Sequence, residues 1–218
     1  MSVNDFKEDF ARLFVDEKQF KLLMQPYRAA MDIVSCKLQA LDDELHCLYE
    51  HSPIHHIKTR LKSPESIIEK LYRRNFPVTL EGVEMLQDIA GLRVVCKYVD
   101  DVEYISSLLL AQDDITLIRY SDYINNPKEN GYRSYHLIVS VAVYGRFGKV
   151  EIPVEIQIRT IAMDMWASLE HNLRYKKHYQ EQDEFMQRLK SCAEMLENVD
   201  LEMQEIYHQL NEKWQNKQ

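Results

Sequence analysis

The stretch Val150–Thr160 reads VEIPVEIQIRT and alternates with a period of two. Val154, Ile156 and Ile158 fall on one face of an extended chain, and Glu155, Gln157 and Arg159 fall on the other. Such a strand offers an aliphatic face to a core and a second face shared by carboxylate, amide and guanidinium. For an arbitrary strand that second face would simply meet solvent. Two neighbouring polar constellations argue for more: NGYRSYH at Asn130–His136, one hairpin upstream, and QDIAGLR, which opens at Gln87.

Working outward, the turn Gly145–Gly148 (GRFG) joins this strand to a long strand over Ser134–Tyr144 as a hairpin. Further strands are expected at Leu92–Tyr98 and Ile115–Tyr120, with a helix between them over Asp101–Leu110. Ser63-Pro64 is a helix start: a capping serine, then proline at the first helical position, with Ile67, Ile68 and Leu71 as the buried stripe. Another helix follows Arg159 through Met163, Trp166, Leu169 and Leu173. Near the start, Phe6, Phe10, Leu13 and Phe14 mark a short amphipathic helix ending around Asp16.

Two long stripes bracket this region. Tyr27, Met31, Val34, Leu38, Leu41, Leu45 and Leu48 step by four and three, and Pro53 breaks the pattern. Phe185, Leu189, Cys192, Leu196, Val199, Met203, Ile206 and Leu210 repeat it at the other end, on a helix expected to mediate homo-oligomerisation. The predicted class is α/β (α+β), a small mixed β-sheet surrounded by helices. The chain divides into N-terminal helices over 1–52, a core over 53–178 and a C-terminal helix over 179–218.

The 218 residues suffice for one sizeable core, and 45% hydrophobic with 28% charged content is that of a folded chain. A net charge of −8 argues against DNA or another nucleic-acid backbone as the main partner, without excluding a local basic pocket. No apolar run approaches membrane-spanning length, and acids stand at the N-terminus where a signal peptide carries bases, so a cytoplasmic protein is expected. Cys36, Cys47, Cys96 and Cys192 form no CxxC, and three of them occupy apolar positions of periodic segments. They are expected to be reduced and mostly buried. His46, His51, His55 and His56 sit around Pro53, which interrupts helical ligand spacing, so no zinc site is expected.

Lys58–Arg74 carries six bases (Lys58, Arg60, Lys62, Lys70, Arg73, Arg74) against two acids in an acidic chain. Ser66, Lys70 and Arg73 share the helix face opposite the isoleucines, which is the chemistry a polyphosphate requires. Asp88, with Gly91 expected to allow close backbone approach, and Glu155 from a separate strand make a hard-oxygen pair for Mg²⁺. Tyr132 follows a flexible glycine and is flanked by Lys128, Asn130 and Arg133, so an exposed ring for nucleobase stacking is expected. His136 points with the polar set.

With RLKSPESIIEKL, QDIAGLRV, ENGYRSYHL, VEIQIRT and MDMWASLEHNLRYK in order from about Pro53 to Lys176, the chain resembles the RelA/SpoT-type (p)ppGpp synthetases. Within them it is most similar to the stand-alone small alarmone synthetases, RelP-like rather than RelQ-like. The resemblance implies a nucleotidyltransferase-like synthetase fold and a GTP/GDP diphosphokinase of the stringent response. That reaction moves the β,γ-pyrophosphoryl group of ATP to the ribose 3′-OH of GDP or GTP, with Mg²⁺ as cofactor and a homotetramer as the assembly.

Position by position, it implies that Arg60 and Arg93 sandwich the adenine while Lys62, Ser66, Lys70 and Arg73 hold the donor phosphates. Asp88 binds Mg²⁺, and Glu155 accepts the 3′-OH proton or shares the metal, where a cation would pull its pKa down. Tyr132 stacks on the guanine beside Lys128 and Asn130, His136 lies near the acceptor phosphates, Gln157 orients neighbours, and Glu170 plays a lesser supporting part. No His-Asp dipeptide occurs, so the alarmone-degrading half of the long bifunctional relatives is absent, and the length leaves no room for their regulatory domains. His-His-Ile-Lys precedes Thr59-Arg60 where the RelQ-like group carries an aromatic of its alarmone cleft, so product activation is not expected. The alternative from another class is a catalytically silent nucleotide- or RNA-binding regulator on the same scaffold.

Overall fold

The Val150–Thr160 strand lies at the centre of a five-stranded sheet in a computed structural model that describes residues 9–10, 13, 17–49, 51–146, 148–176 and 183–215. In chain order the elements are α1 (Glu17–Tyr49), β1 (Ile54–Leu61), α2 (Pro64–Arg74), a short α3 (Leu80–Glu84), β2 (Ala90–Cys96), α4 (Val99–Leu110), β3 (Ile115–Asp122), β4 (Tyr135–Gly145), β5 (Gly148–Thr160), α5 (Ile161–Lys176) and α6 (Asp183–Gln215). The sheet order is β1-β2-β5-β4-β3. β2 and β5 run parallel and the other neighbours antiparallel, so the sheet is mixed as expected.

The aliphatic half of the alternation builds the core. Val154, Ile156 and Ile158 are fully buried with Leu137 and Val139 of β4 and Leu92 and Val94 of β2. Met31, Val34 and Leu38 of α1 and Val102, Ile105 and Leu109 of α4 belong to the same cluster. The stripe of α2 joins it through Ile67, Ile68 and Leu71. Ser63 caps that helix by accepting a hydrogen bond from the Ser66 amide at 3.3 Å, and Asn75 closes it in the left-handed region with φ 54°.

Several expectations are corrected. α1 begins at Glu17, ten residues before its stripe, and carries Pro26 internally. Leu48 at its end is exposed. The basic segment before Ser63 forms an unforeseen edge strand, β1, paired antiparallel with β2. β2, α4, β3, β4 and β5 lie within two residues of their expected bounds. Cys36, Cys47 and Cys192 are exposed and only Cys96 is buried. Cys36 and Cys47 each sit two positions after a buried residue, Val34 and Leu45, which turns them off the buried stripe. Leu169 and Leu173 of α5 and Phe185, Val199, Met203, Ile206 and Leu210 of α6 are exposed. Phe6, Phe14 and Asp16 lie outside the described residues; Leu13 is buried in the main cluster. No helix among the described residues is long and apolar enough to cross a membrane.

Asp42 is a charged residue on the buried face of α1, 8% exposed. Its carboxylate accepts hydrogen bonds from the Ser52 hydroxyl at 2.6 Å and the Ile54 amide at 2.8 Å, tying the end of α1 to the start of β1. Asp42→Ala leaves the buried Ile54 N–H without its acceptor and is expected to lower unfolding free energy by about 1–3 kcal/mol in urea titrations. An unchanged midpoint would show that the tie contributes nothing.

Candidate active site

The polar half of the alternation faces away from α1 and α4, and the sheet register aligns it with the neighbouring strands. One row across the sheet runs Arg60, Gly91, Glu155, Ile138 and Arg119. The next runs Lys58, Arg93, Gln157, His136 and Ser121. Register alone therefore brings bases from β1 and β2 beside the carboxylate of β5. A cavity of about 360 Å³ opens over the first half of these rows, lined by Lys58, Arg60, Lys62, Asp88, Arg93 and Glu155 among others. A second, of about 310 Å³, adjoins it and is lined by Lys70, Arg74, Asp88, Arg119, Ile138 and Glu155 among others. Asp88 and Glu155 line both.

Gly91 forms the floor of the first cavity. A Cβ there would meet nothing closer than 3.7 Å, so no tight backbone approach requires glycine, contrary to expectation. Its missing side chain instead keeps the space between Arg60 and Glu155 open.

Asp88 stands in the loop two residues before β2, not on a strand. Its Oδ2 accepts from Lys62 Nζ at 3.0 Å and from Lys70 Nζ at 2.8 Å. Burial alone would raise its pKa, but the two ammonium groups outweigh burial and hold the carboxyl below its usual range. Glu155 moves the opposite way. Burial and then the charge of Asp88 raise it, against the Gln157 amide, which donates to Glu155 Oε2 at 3.2 Å, and the two lysines. The lowering expected of Glu155 belongs to the cation-bound site; without a cation, burial and Asp88 raise it. Two carboxylates on one cavity wall thus have their pKa values driven in opposite directions.

Beyond Glu155 the polar face is a connected network. Gln157 Oε1 accepts from Arg159 at 2.6 Å, and the same guanidinium donates to the Tyr132 hydroxyl at 2.6 Å. The Tyr132 hydroxyl lies 2.7 Å from His136 Nε2, and His136 Nδ1 lies 3.9 Å from Glu155. Burial, followed by the charges of Arg159, Lys128 and Arg119, lowers the His136 pKa to about 3, so its ring is neutral. The expected exposed tyrosine is in fact half-buried. Its ring meets Tyr123 and His136 edge-on, and the Lys128 ammonium lies 4.8 Å from its centroid.

The loop that carries Tyr132 is pinned by α6. Gly131 has φ +89°, and a Cβ on it would lie 2.6 Å from that of Ala193, so this position takes only glycine. Arg133 pairs with Glu197 and donates to the Ala193 carbonyl, which keeps it out of the cavities. Thr160, at the end of β5, donates to the buried Asp200 at 2.5 Å, and burial raises that carboxyl to about 6.

Of the residues singled out in the sequence, Arg60, Lys62, Asp88, Arg93, Glu155 and Gln157 line one cavity, and Lys70 lines the second with Asp88 and Glu155. Tyr132, His136, Lys128 and Asn130 cluster beside them, with Asn130 accepting from the Tyr132 amide at 3.2 Å. Ser66 and Arg73 are not brought in: Ser66 takes part in the cap of α2, and Arg73 is exposed in its last turn. Arg74, four residues after Lys70, lines the second cavity and, like Arg73, is exposed. Glu170 lines neither cavity. Arg119 and Asp164 were not singled out in the sequence, and Arg159 and Arg74 were noted only within the polar face and the basic cluster. Among the described residues no three His, Cys, Asp or Glu side chains converge as a metal site. Asp88 and Glu155 alone suit a hard divalent cation that takes its other ligands from phosphate and water, and such a cation would relieve the repulsion that Asp88 imposes on Glu155.

The chain is similar to known proteins. The family described as "Region found in RelA / SpoT proteins" matches residues 59–180, which span both cavities and the tyrosine loop. GTP pyrophosphokinase YjbM of Bacillus subtilis is 39% identical over 198 residues, covering 91% of this chain and 93% of that protein. GTP pyrophosphokinase YwaC of the same organism is 39% identical over 179 residues, covering 81% and 85%. The crystal structure of small alarmone synthetase 1 from B. subtilis, bound to its product pppGpp, superposes with a TM-score of 0.81 at 39% identity, covering 88% of this chain and 98% of that one. Identity at this level over nearly the whole of both chains, with the same fold and a family match across the site, places this chain in the RelA/SpoT family, to which it belongs.

Proposed function

We propose that this protein is a (p)ppGpp synthetase that transfers the β,γ-pyrophosphoryl group of ATP to the 3′-OH of GDP or GTP and releases AMP. The observation that carries this reading is the pair Asp88 and Glu155, driven apart in pKa and shared by two adjoining basic cavities. ATP would occupy the first, its adenine between Arg60 and Arg93 and its phosphates toward Lys62 and Lys70. The acceptor would lie across Tyr132 and His136, its guanine on the ring face where Lys128 now sits.

In the reaction the ribose 3′-oxygen attacks the β-phosphorus, the bond to the α–β bridging oxygen breaks, and AMP departs with that oxygen. Glu155 takes the 3′-OH proton. The Gln157 amide, which donates to Glu155 Oε2, orients it. Lys62 and Lys70 keep Asp88 ionised and offer positive charge to the transferred phosphates, so that the protein contributes mainly alignment and charge neutralisation. Asp88 and Glu155 would hold Mg²⁺, which when bound neutralises phosphoryl oxygens. The exposed apolar residues of α6, Phe185, Val199, Met203, Ile206 and Leu210, support a homo-oligomer, a tetramer by family resemblance, working in the cytoplasm.

Incubation with ATP, GDP and Mg²⁺ is expected to yield AMP and a guanosine tetraphosphate, and EDTA is expected to abolish both; nucleotide binding without AMP would favour the silent regulator. Glu155→Gln is expected to lower kcat by about 100-fold or more while leaving ATP affinity within a few-fold. Because deprotonated Glu155 is the base, activity should fall as pH decreases through its pKa, and bound Mg²⁺, which favours the carboxylate, should move that limb to lower pH. Equal loss of ATP binding in Glu155→Gln would make the residue structural. Light scattering at micromolar concentration should give a multiple of the 26.0 kDa chain mass, and a monomer would refute the assembly.

A further inference from the structure

Arg159 lies at the end of the strand alternation, where a solvent-facing guanidinium would be unremarkable, yet its side chain is 4% exposed. Four side chains accept from it: Asp164 at 3.2 Å, Tyr132 at 2.6 Å, Gln157 at 2.6 Å and Ser134 at 3.4 Å. A buried guanidinium so fully donated is held in one place by its acceptors, and it holds them in turn. The Asp164 oxygen that receives Arg159 also lies 3.3 Å from Arg93 Nη1. One carboxylate oxygen is therefore divided between two guanidinium groups, one on the donor cavity and one behind the acceptor tyrosine. Arg93 is the less committed of the two: its side chain is 36% exposed, and its buried Nε has no hydrogen-bond partner among the described residues.

Resting on the synthetase reading, we infer that Asp164 and Arg159 are positioning residues that couple the two halves of the site, so that a donor nucleotide on Arg93 strengthens acceptor binding at Tyr132. A purine stacked on Arg93 draws that guanidinium toward the ring and leaves the Asp164 oxygen to Arg159. Arg159 then holds the Tyr132 hydroxyl and the Gln157 carbonyl more firmly, and the Gln157 amide is the group that donates to Glu155. The effect requires one bistable element, the shared carboxylate, and no movement of the sheet.

Isothermal titration of the full chain in Mg²⁺ buffer tests this by comparing the Kd for GDP with and without a saturating non-hydrolysable ATP analogue. The wild-type chain should bind GDP about 5-fold or more tightly with the analogue present, and Asp164→Asn should reduce that factor to below about 2 while each nucleotide alone binds within a few-fold of wild type. Arg159→Lys keeps the charge but cannot reach Asp164 and Tyr132 together, and it should lose the coupling as well, which provides a second reading if one variant folds poorly. In turnover, KM for GDP at saturating ATP should rise more than kcat falls. A wild-type chain without coupling, or an Asp164→Asn chain that retains it, overturns the inference. A wild-type chain that binds neither nucleotide overturns the synthetase reading instead.

Discussion

The contact on which the site depends is the convergence of two ammonium groups, Lys62 and Lys70, on one oxygen of Asp88. It joins three separate pieces of chain: the segment after β1, the middle of α2 and the loop leading to β2. It also determines the charge state of the cavity wall. With Asp88 kept ionised, its field falls on Glu155 across the shared wall and adds to burial in raising that carboxyl. One carboxylate is held as an anion and the other is pushed toward its neutral form, although the two side chains are chemically alike.

The fold serves this pair by separating its two tasks by face. One face of β2, β4 and β5 is directed at α1 and α4, where Leu137, Val139, Val154, Ile156 and Ile158 are completely buried. Everything reactive is directed the other way and placed by register, so the relative positions of Arg60, Glu155, His136 and Arg119 are as rigid as the hydrogen-bond ladder. The acceptor side is the exception. Tyr132 lies on a loop, and its position depends on contacts with α6 through Gly131, Arg133 and the Thr160 to Asp200 hydrogen bond. The opposite side of that helix is apolar and exposed, so whatever covers α6 bears on the loop as well.

The parts legible in the sequence were those governed by local periodicity. The alternation of Val150–Thr160, the hairpin at Gly145–Gly148 and the Ser63-Pro64 start all follow from neighbours a few residues apart, and each is found where expected. β1 was missed because an edge strand rich in histidine, lysine and arginine shows no aliphatic alternation; its identity comes from pairing with β2. Arg159 was read as part of a polar face because alternation gives a direction and not a depth, and its burial arises from Asp164 and Tyr132, distant in kind from any local pattern. Arg73 and Arg74 differ by one helical step, and only the tertiary placement of α2 puts Arg74 on the second cavity. The raised pKa of Glu155 was likewise invisible, since it depends on how deeply the strand centre is buried.

The most direct measurement is a carboxyl titration of the nucleotide-free protein, labelled with ¹³C in aspartate and glutamate side chains and followed by NMR, with Asp88→Asn and Glu155→Gln spectra for assignment. The account predicts that Asp88 titrates below an ordinary aspartate and Glu155 above an ordinary glutamate, and that Asp88→Asn brings Glu155 down. Both groups titrating at ordinary values, or in the reverse order, would contradict it.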